Sequence, residues 1–301
     1  MTRWGFLAAA LLAIAGCAQP TPRYVVGDPY RMGGIWSYPK EDYALSETGL
    51  AEVMAVPALG GLTANGEALT TQGPTAAHRS LQLPAIIRVT NLENGRSMLL
   101  RVNDRGPEKP GRILGVSPRA GALLAMTPGR AAQIALVVDT ETSRAAAEGL
   151  PGQAPPPIAI AAAPRAAVAR EELAPLPGTR EAPRREVQPL PSAAPLTELA
   201  PQRRGTMAPL PETVTQGAPR PGSLLVEAGQ FSGRSAAEAV AARLPGARIS
   251  QQGRGRTASF RVALGPFAEV RAADLALERT LAAGLSGARI IVEEGRCLFL
   301  A

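Results

Sequence analysis

The chain has few cysteine, histidine and aromatic residues. The shortage of cysteine and histidine argues against a disulfide framework and against a metal site. Its two cysteines, Cys17 and Cys297, are too few for a disulfide framework. His78 is the single histidine, and no Cys/His cluster has the spacing of metal ligands, so we expect no metal site and no cofactor. Ala, Arg, Gly and Pro dominate the 301 residues, and this length predicts two modest domains.

Lysine is scarce as well, and the net charge of +7 comes almost entirely from arginine. The arginines are spread along the chain, many of them in a Pro-rich middle region, and no recognisable nucleic-acid-binding module accompanies them. We therefore expect no nucleic acid among the partners. Diffuse positive charge suits the anionic groups of a cell wall or a lipid surface. A compositional bias towards arginine, without any function, is the alternative.

The first seventeen residues have the pattern of an export signal. Arg3 precedes an apolar run from Trp4 to Ile14, which is too short to span a bilayer comfortably. Two small residues stand directly before Cys17, and this pattern resembles a bacterial lipobox. The resemblance implies that Cys17 is acylated, with palmitate as the expected chain, and becomes the mature N-terminus. Ala18 after it points to the outer membrane, facing the periplasm. An ordinary secretory signal with an incidental cysteine is the alternative.

Composition divides the rest of the chain into four segments. Residues 18–47 are polar and lack clear periodicity, so we interpret them as a tether. Residues 48–140 carry strand and turn signals. In residues 141–221, Pro, Ala, Arg and Gln cannot bury enough apolar surface to offset the entropy of ordering, which predicts a disordered linker. Residues 222–301 are predicted to be ordered again.

Residues 48–140 are predicted to form a small, mostly β domain with one short helix. Asn94 and Gly95 are the preferred pair for a tight hairpin between two strands. Ser117 as N-cap and Pro118 as the first helical residue predict where the helix begins. The predicted elements are strands over residues 85–90, 97–102 and 132–138 and a helix over residues 120–126.

Residues 222–301 are predicted to follow the order β-α-β-β-α-β, which suits a ferredoxin-like α+β sandwich. Ser235 is the predicted N-cap of the first helix in this segment. The predicted elements are strands over residues 224–226, 247–250, 259–262 and 289–292, and helices over residues 236–244 and 270–283.

Four motifs in the first domain stand in a recognisable order. They are Thr-Ala-Asn-Gly-Glu at 63–67, Thr-Ala-Ala-His-Arg at 75–79, Arg-Val-Thr-Asn-Leu and then Asn-Gly at 88–95, and Asn-Asp-Arg-Gly-Pro at 103–107. Their order and spacing resemble the rare lipoprotein A family, whose core is a double-psi β-barrel. Residues 226–231 and 261–267 resemble a SPOR domain. The resemblance implies a mainly β double-psi β-barrel, then the disordered Pro-rich linker, then the α+β ferredoxin-like SPOR domain.

The resemblance also implies an activity, that of a lytic transglycosylase acting on septal peptidoglycan glycan strands without stem peptides. The family's functional residues map onto Glu67, His78 and Asp104. Cleavage of a glycosidic bond requires an acid that protonates the leaving oxygen. The muramoyl 6-hydroxyl then closes onto C1, so one carboxyl group that serves first as acid and later as base is enough. We assign this role to Asp104, with Glu67 and His78 in support.

Each of these three residues also has a purely structural interpretation. Asp104 can cap a turn or pair with Arg105. His78 can be a hydrogen-bonded structural residue, and Glu67 can be a solvated loop carboxylate.

The SPOR resemblance implies a second contact with the glycan. We expect Gln230, Phe231 and Arg261 to bind peptidoglycan, and packing within the sheet is the alternative for Gln230 and Phe231. The expected partners are therefore denuded glycan strands, the membrane through the lipid anchor, and division proteins.

Two places depart from the family pattern. A Trp-Tyr-Gly or Tyr-Tyr-Gly stretch is usual after the first strand, whereas residues 51–57 contain no aromatic side chain. Gly115 stands where the family usually has an aspartate. These departures favour a rival hypothesis, a non-catalytic wall-binding protein that organises the division site. A third hypothesis, a passive membrane-to-wall spacer, explains the linker but not the motifs.

Overall fold

The computed structural model describes residues 21–55, 61–152, 210–255 and 258–293. Three predictions fall outside the described residues in whole or in part: the lipobox with Cys17, the unpaired Cys297, and residues 153–209 of the disordered linker predicted over 141–221. Within the described part of the chain, no helix is long and apolar enough to cross a bilayer.

Six strands close into a β-barrel, as predicted for the first domain. The elements of residues 21–152 are β1 (Tyr30–Met32), β2 (Ile35–Ser37), β3 (Ser46–Val53), β4 (Thr75–His78), β5 (Ala85–Asn91), β6 (Arg96–Asp104), β7 (Arg112–Val116), α1 (Pro118–Leu123), β8 (Ala132–Val138) and α2 (Thr140–Ala147). The barrel strands follow the order β4-β7-β3-β8-β5-β6, and β4 pairs with β6 to close the ring. The β3–β7 and β4–β6 pairs are parallel, and the other four are antiparallel.

The predicted hairpin and the predicted helix start are both confirmed. β5 and β6 pair in antiparallel register, and Gly95 adopts φ +79° in the turn between them, a conformation that favours glycine. The side-chain amide of Asn94 donates to the carbonyl at the C-terminal end of α1, at 2.9 Å. The Ser117 side chain caps α1, and Pro118 is the first helical residue. The sequence signals therefore place both features within the barrel correctly.

The segment predicted as a tether, residues 18–47, is folded against the barrel in its described part. β1 and β2 form an antiparallel hairpin. Tyr24 is buried, and Val25 forms a β-bridge with Leu83 of the barrel. Strands of three residues are too short to show a periodic pattern, which is why the sequence did not predict them.

The start of the predicted linker is also part of the barrel domain, because α2 covers one face of β5. Ser143 on α2 donates to the carbonyl of Ile86 and accepts from its N–H, at 3.0 and 2.8 Å. The Asp139 carboxylate caps α2 by accepting a hydrogen bond from the N–H of Thr142. Hydrogen bonds from the side chain and the backbone of Thr142 lower the pKa of Asp139. The first ordered module thus extends beyond the predicted boundary at residue 140.

The C-terminal module has the predicted β-α-β-β-α-β order. Its elements, with one short strand before them, are β9 (Thr215–Gln216), β10 (Ser223–Phe231), α3 (Arg234–Ala241), β11 (Arg248–Gln252), β12 (Ser259–Phe267), α4 (Val270–Ala282) and β13 (Arg289–Glu293). The sheet has the order β11-β12-β10-β13 and is antiparallel throughout. β9 lies inside the predicted linker and pairs with β6 of the barrel. Gly233, rather than Ser235, is the N-cap of α3.

The C-terminal module packs directly against the barrel, and the two belong to one compact unit. Leu50 and Leu92 of the barrel join Leu277 and Ile290 of the module in a single buried apolar cluster. The length of the predicted linker allows the modules to lie far apart, so the sequence did not predict this contact.

Polar contacts fix the orientation of the module on the barrel. The Arg112 side chain is 2% exposed, and its Nη1 and Nη2 donate to the two carboxylate oxygens of Asp274 at 2.7 and 2.9 Å. Thr48 Oγ1 donates to the carbonyl of Val292 at 2.6 Å. A bidentate arginine–carboxylate pair constrains both direction and distance, so the barrel and the module meet in one defined arrangement.

Candidate active site

Glu67 lies in a network of buried polar side chains. Its side chain is 12% exposed, and Arg101 Nη1 lies 3.4 Å from Oε2. The side-chain amide of Asn65 donates to Oε1 at 2.8 Å, and that of Asn103 donates to Oε2 at 2.9 Å. These contacts tie the loop of residues 63–67 to β6. The interpretation of Glu67 as a solvated loop carboxylate is therefore wrong.

Asp104 is the last residue of β6, and the same loop holds its carboxyl group. Oδ1 accepts from the backbone N–H of Ala64 at 2.9 Å and from that of Arg105 at 2.8 Å. Oδ2 accepts no hydrogen bond from the residues that the structure describes. One oxygen thus fixes the group, and the other is available to exchange a proton with a ligand. The structure brings Glu67 and Asp104 together where the loop meets the strand.

The His78 ring is held by protein groups at both nitrogens. Nδ1 accepts from the backbone N–H of Ser80 and of Leu81 at 3.2 and 3.1 Å. A neutral ring must then carry its proton on Nε2, which donates to Glu47 Oε1 at 3.1 Å. Neither contact is to Glu67 or Asp104, although the adjacent Ala77 pairs with Asp104 across β4 and β6. This geometry favours a role in positioning β4 beside the acid.

Glu47 is a site residue that sequence reasoning missed. It lies on β3, outside the four motifs, and no local signal sets it apart. While Oε1 holds His78, Oε2 lies 3.6 Å from Arg289 Nη1 of the C-terminal module. Glu47 therefore connects the His78 side chain to the module that packs on the barrel.

The Arg105 guanidinium donates its hydrogen bonds to backbone carbonyls rather than to the neighbouring Asp104 carboxylate. Nη1 and Nη2 donate to the carbonyls of Leu81 and Val26, each at 2.5 Å, and Nη1 lies 3.4 Å from the carbonyl of His78. Burial lowers the pKa of Arg105 from its ordinary value. A direct hydrogen-bonded pair between Asp104 and Arg105 side chains does not occur among the described contacts.

Two further residues lie near Arg105 and Asp104. Tyr30 is on β1, and Arg79 directly follows His78. The Tyr30 hydroxyl donates to the Arg79 carbonyl at 2.8 Å. Burial raises the pKa of Tyr30, the positive charges of Arg105 and Arg79 lower it, and the negative charge of Asp104 raises it. The phenol is therefore within electrostatic reach of the acid.

The residues that the structure describes offer no grouping of metal ligands, but some of them line a cavity. Among these residues, no three His, Cys, Asp or Glu side chains group closely enough to hold a metal ion. A cavity of about 440 Å³ lies in the C-terminal module, lined by parts of residues 244–246, 264–267 and 276–280. Its lining includes none of the predicted site residues.

Two family models match the chain. The first is described as a lytic transglycolase and matches residues 52–137, and the second is the SPOR domain and matches residues 221–290. A relative from Pseudomonas aeruginosa (strain UCBPP-PA14), named endolytic peptidoglycan transglycosylase RlpA, is 32% identical over 269 residues, which cover 83% of this chain and 72% of the relative.

The chain belongs to the rare lipoprotein A (RlpA) family. Relatives with the same name include one from Rickettsia bellii, 41% identical over 105 residues that cover 34% of this chain and 46% of the relative. Another, from Vibrio cholerae, is 31% identical over 160 residues that cover 43% of this chain and 61% of the relative. The matched models agree with the closed barrel and the C-terminal α+β module.

Met54 fills the space beside Gly115, where the RlpA family usually has an aspartate. Gly115 on β7 pairs with Ala77, which in turn pairs with Asp104. A Cβ built at Gly115 would collide with Met54 Sδ and lie 2.7 Å from its Cγ. A Cβ built at Gly106 would lie 4.0 Å from the same sulfur. An apolar side chain, that of Met54, therefore fills the space beside Gly115 and lies close to Gly106.

We expect Gly115→Ala to lower the free energy of unfolding by about 1–3 kcal/mol, because an added methyl over-packs the site against Met54. Met54→Ala removes the collision, so the double variant should be more stable than the sum of the single effects. Urea unfolding of both single variants and the double variant measures this coupling. Gly287→Ala is the control, since a Cβ there meets nothing within 4 Å. Additive effects would show that Met54 does not occupy this space.

The SPOR domain places the three predicted peptidoglycan-binding residues on neighbouring strands. Gln230 and Arg261 are cross-strand partners on β10 and β12, and the Gln230 side chain is exposed. Phe231 packs against an apolar cluster of the module, in agreement with the packing alternative. Arg261 Nε lies 3.2 Å from Glu227 Oε2, and its Nη1 lies 3.4 Å from Glu293 Oε1. Arg261 is thus ion-paired within the domain, and it shares Glu227 with Arg289.

Proposed function

We propose that this protein is an endolytic lytic transglycosylase that cleaves peptidoglycan glycan strands lacking stem peptides, at the division septum. The observation that carries the proposal is the hydrogen bonding of the Asp104 carboxyl group. Two backbone N–H groups fix its Oδ1, and Oδ2 has no hydrogen bond from the described residues. The relatives named endolytic peptidoglycan transglycosylase support this class of reaction and polymer.

Asp104 acts first as an acid and then as a base. Its protonated carboxyl group donates to the oxygen that links C1 of a muramoyl sugar to the next sugar, and the C1–O bond breaks with its electron pair on that oxygen. The 6-hydroxyl of the same muramoyl sugar forms a new bond to C1, and its proton passes to the Asp104 carboxylate. The proton is therefore regenerated, no water is consumed, and the new end is a 1,6-anhydro ring.

Glu67 and His78 support this reaction by holding the parts that carry Asp104. The contacts of Glu67 to Asn65 and Asn103 order the loop whose Ala64 N–H binds Asp104. The contacts of His78 hold β4, the parallel neighbour of β6. Fixed donors and acceptors reduce the reorganisation that the reaction requires.

The apolar Met54 side chain beside Gly115 favours a second candidate function, that of a septal lipoprotein that binds peptidoglycan without cleaving it. Met54 occupies the place beside Gly115 in which a second carboxylate would stand. In this alternative, the barrel and the SPOR domain both bind the glycan, and the protein organises the division site with division proteins as partners.

Digestion of sacculi distinguishes the two functions. The full chain is incubated with amidase-treated sacculi, whose strands lack stem peptides, and with untreated sacculi. The enzyme should release soluble glycan from the treated sacculi and much less from the untreated ones. Pelleting with treated sacculi without any release would instead support the non-catalytic protein.

We propose that Cys17 carries a lipid anchor and holds the protein at the outer membrane, facing the periplasm. Cys17→Ser should move the protein out of the outer-membrane fraction or leave its signal uncleaved, because no acyl acceptor remains. Membrane fractionation and labelling with a palmitate analogue measure this. An unchanged fractionation, with no acyl label on the unmodified chain, would show that the lipobox resemblance is misleading.

A further inference from the structure

Trp36 and Tyr38 are exposed side by side in a chain with few aromatic residues. They are 53% and 65% exposed, and the chain has only two tryptophans and four tyrosines. Ser37 between them is buried. Trp36 lies on β2 and Tyr38 directly follows its last residue, so the exposed–buried–exposed order indicates that the extended backbone directs both aromatic side chains outwards, about 7 Å apart along the chain. Trp and Tyr side chains are enriched where proteins bind ligands or partners, because each combines a large apolar face with a polar group.

The β1–β2 hairpin, which contains Trp36 and directly precedes Tyr38, contacts the residues that follow His78 and Asp104 in the chain. Arg79, which follows His78, donates from Nη1 to the carbonyl of Met32 at 3.1 Å, and Nη2 donates to the carbonyl of Glu108 at 2.9 Å. Gly33 in the hairpin turn, at φ +58°, packs so closely on the Glu108 carbonyl that a Cβ would collide with it. Glu108 lies four residues after Asp104. The turn of the hairpin is therefore fixed to the segments that follow His78 and Asp104.

A β-1,4-linked glycan has the surface that such a pair of rings would bind. The substituents of its pyranose rings are equatorial, so the ring faces present axial C–H bonds. The face of an aromatic ring is electron-rich and attracts these weakly positive hydrogens. Two aromatic rings that project from the same side of an extended segment can therefore stack on the sugar units of one extended polysaccharide.

We propose that Trp36 and Tyr38 form a sugar-stacking platform that holds the glycan strand beside Asp104. The identity of the bound polymer in this proposal rests on the proposed function. The platform supplies, from the segment before the barrel, an aromatic surface that residues 51–57 lack.

Tryptophan fluorescence tests the platform directly. In the full chain, Trp4→Phe leaves Trp36 as the only tryptophan. Titration with stem-peptide-free glycan strands should shift the emission to the blue and reduce quenching by acrylamide, because a sugar ring covers the indole. Tyr38→Ala should weaken the apparent Kd about tenfold, since one aromatic stacking contact has about this effect. Leu275→Ala, an exposed apolar residue of the SPOR domain, is the control and should leave the Kd unchanged.

The outcomes separate the platform from the proposed function. An unchanged emission overturns the platform, whether or not the strands are cleaved. So does a Tyr38→Ala variant that keeps its fold by circular dichroism and binds as tightly as the control. A clear emission shift without any cleaved product supports the platform and contradicts the transglycosylase activity.

Discussion

Replacing Asp104 with asparagine is expected to reduce the release of anhydro-ended glycan by about 10²–10⁴-fold, because a carboxamide cannot protonate the leaving oxygen. The carbonyl oxygen of the asparagine can still accept the hydrogen bonds from Ala64 and Arg105, so the fold should be retained. Product analysis gives the rate, and thermal unfolding checks the structure.

His78→Ala provides the matched comparison for Asp104→Asn. Its ring contacts Glu47 and the backbone rather than the acid, so activity should fall less and stability should fall more than with Asp104→Asn. The two variants thus separate a chemical role from a positioning role. A wild-type rate for Asp104→Asn would show that another group is the acid.

Asp274→Ala is expected to lower the free energy of unfolding by about 3–5 kcal/mol, because it leaves the Arg112 charge buried without its partner. The Arg112 side chain is 2% exposed, and the next carboxylate, Glu52 Oε2, is 4.0 Å from its Nε. The contact between the SPOR domain and the barrel should weaken without being lost, because the Thr48–Val292 hydrogen bond and the shared apolar cluster remain. Urea unfolding followed by circular dichroism measures both effects.

Lys109→Ala is the control variant, because it removes an exposed partner of the same carboxylate, that of Asp274. Lys109 Nζ lies 3.8 Å from Asp274 and its side chain is 55% exposed. Exposed pairs of this kind contribute about 0–1 kcal/mol, so this variant should unfold almost as the unmodified chain does. Equal effects of Asp274→Ala and Lys109→Ala would mean that the buried pair does not hold the two modules together.

Local signals were sufficient for most of the secondary structure. The Asn94–Gly95 turn and the Ser117–Pro118 helix start depend on conformations that only a few residues favour, so short sequence patterns identify them. Composition places α2 in the linker because its three alanines continue into the Ala- and Pro-rich residues that follow. Its Asp139 cap and its contact with β5 distinguish it from them.

Long-range contacts could not be predicted in the same way. Arg112 and Asp274 are 162 residues apart, and neither stands in a motif that indicates a partner. In the site, the motifs identified Glu67, His78 and Asp104. They did not show that Glu67 is buried or that His78 binds Glu47, because these contacts depend on how the barrel closes.

Mass analysis of the products from denuded glycan strands tests the central claim most directly. Ring closure by the 6-hydroxyl consumes no water, so each new muramoyl end should be lighter than a hydrolysed end by one water. The unmodified chain is predicted to produce these 1,6-anhydro ends, and Asp104→Asn is predicted to produce almost none. Hydrolysed ends, or strands that remain bound and intact, would contradict a lytic transglycosylase.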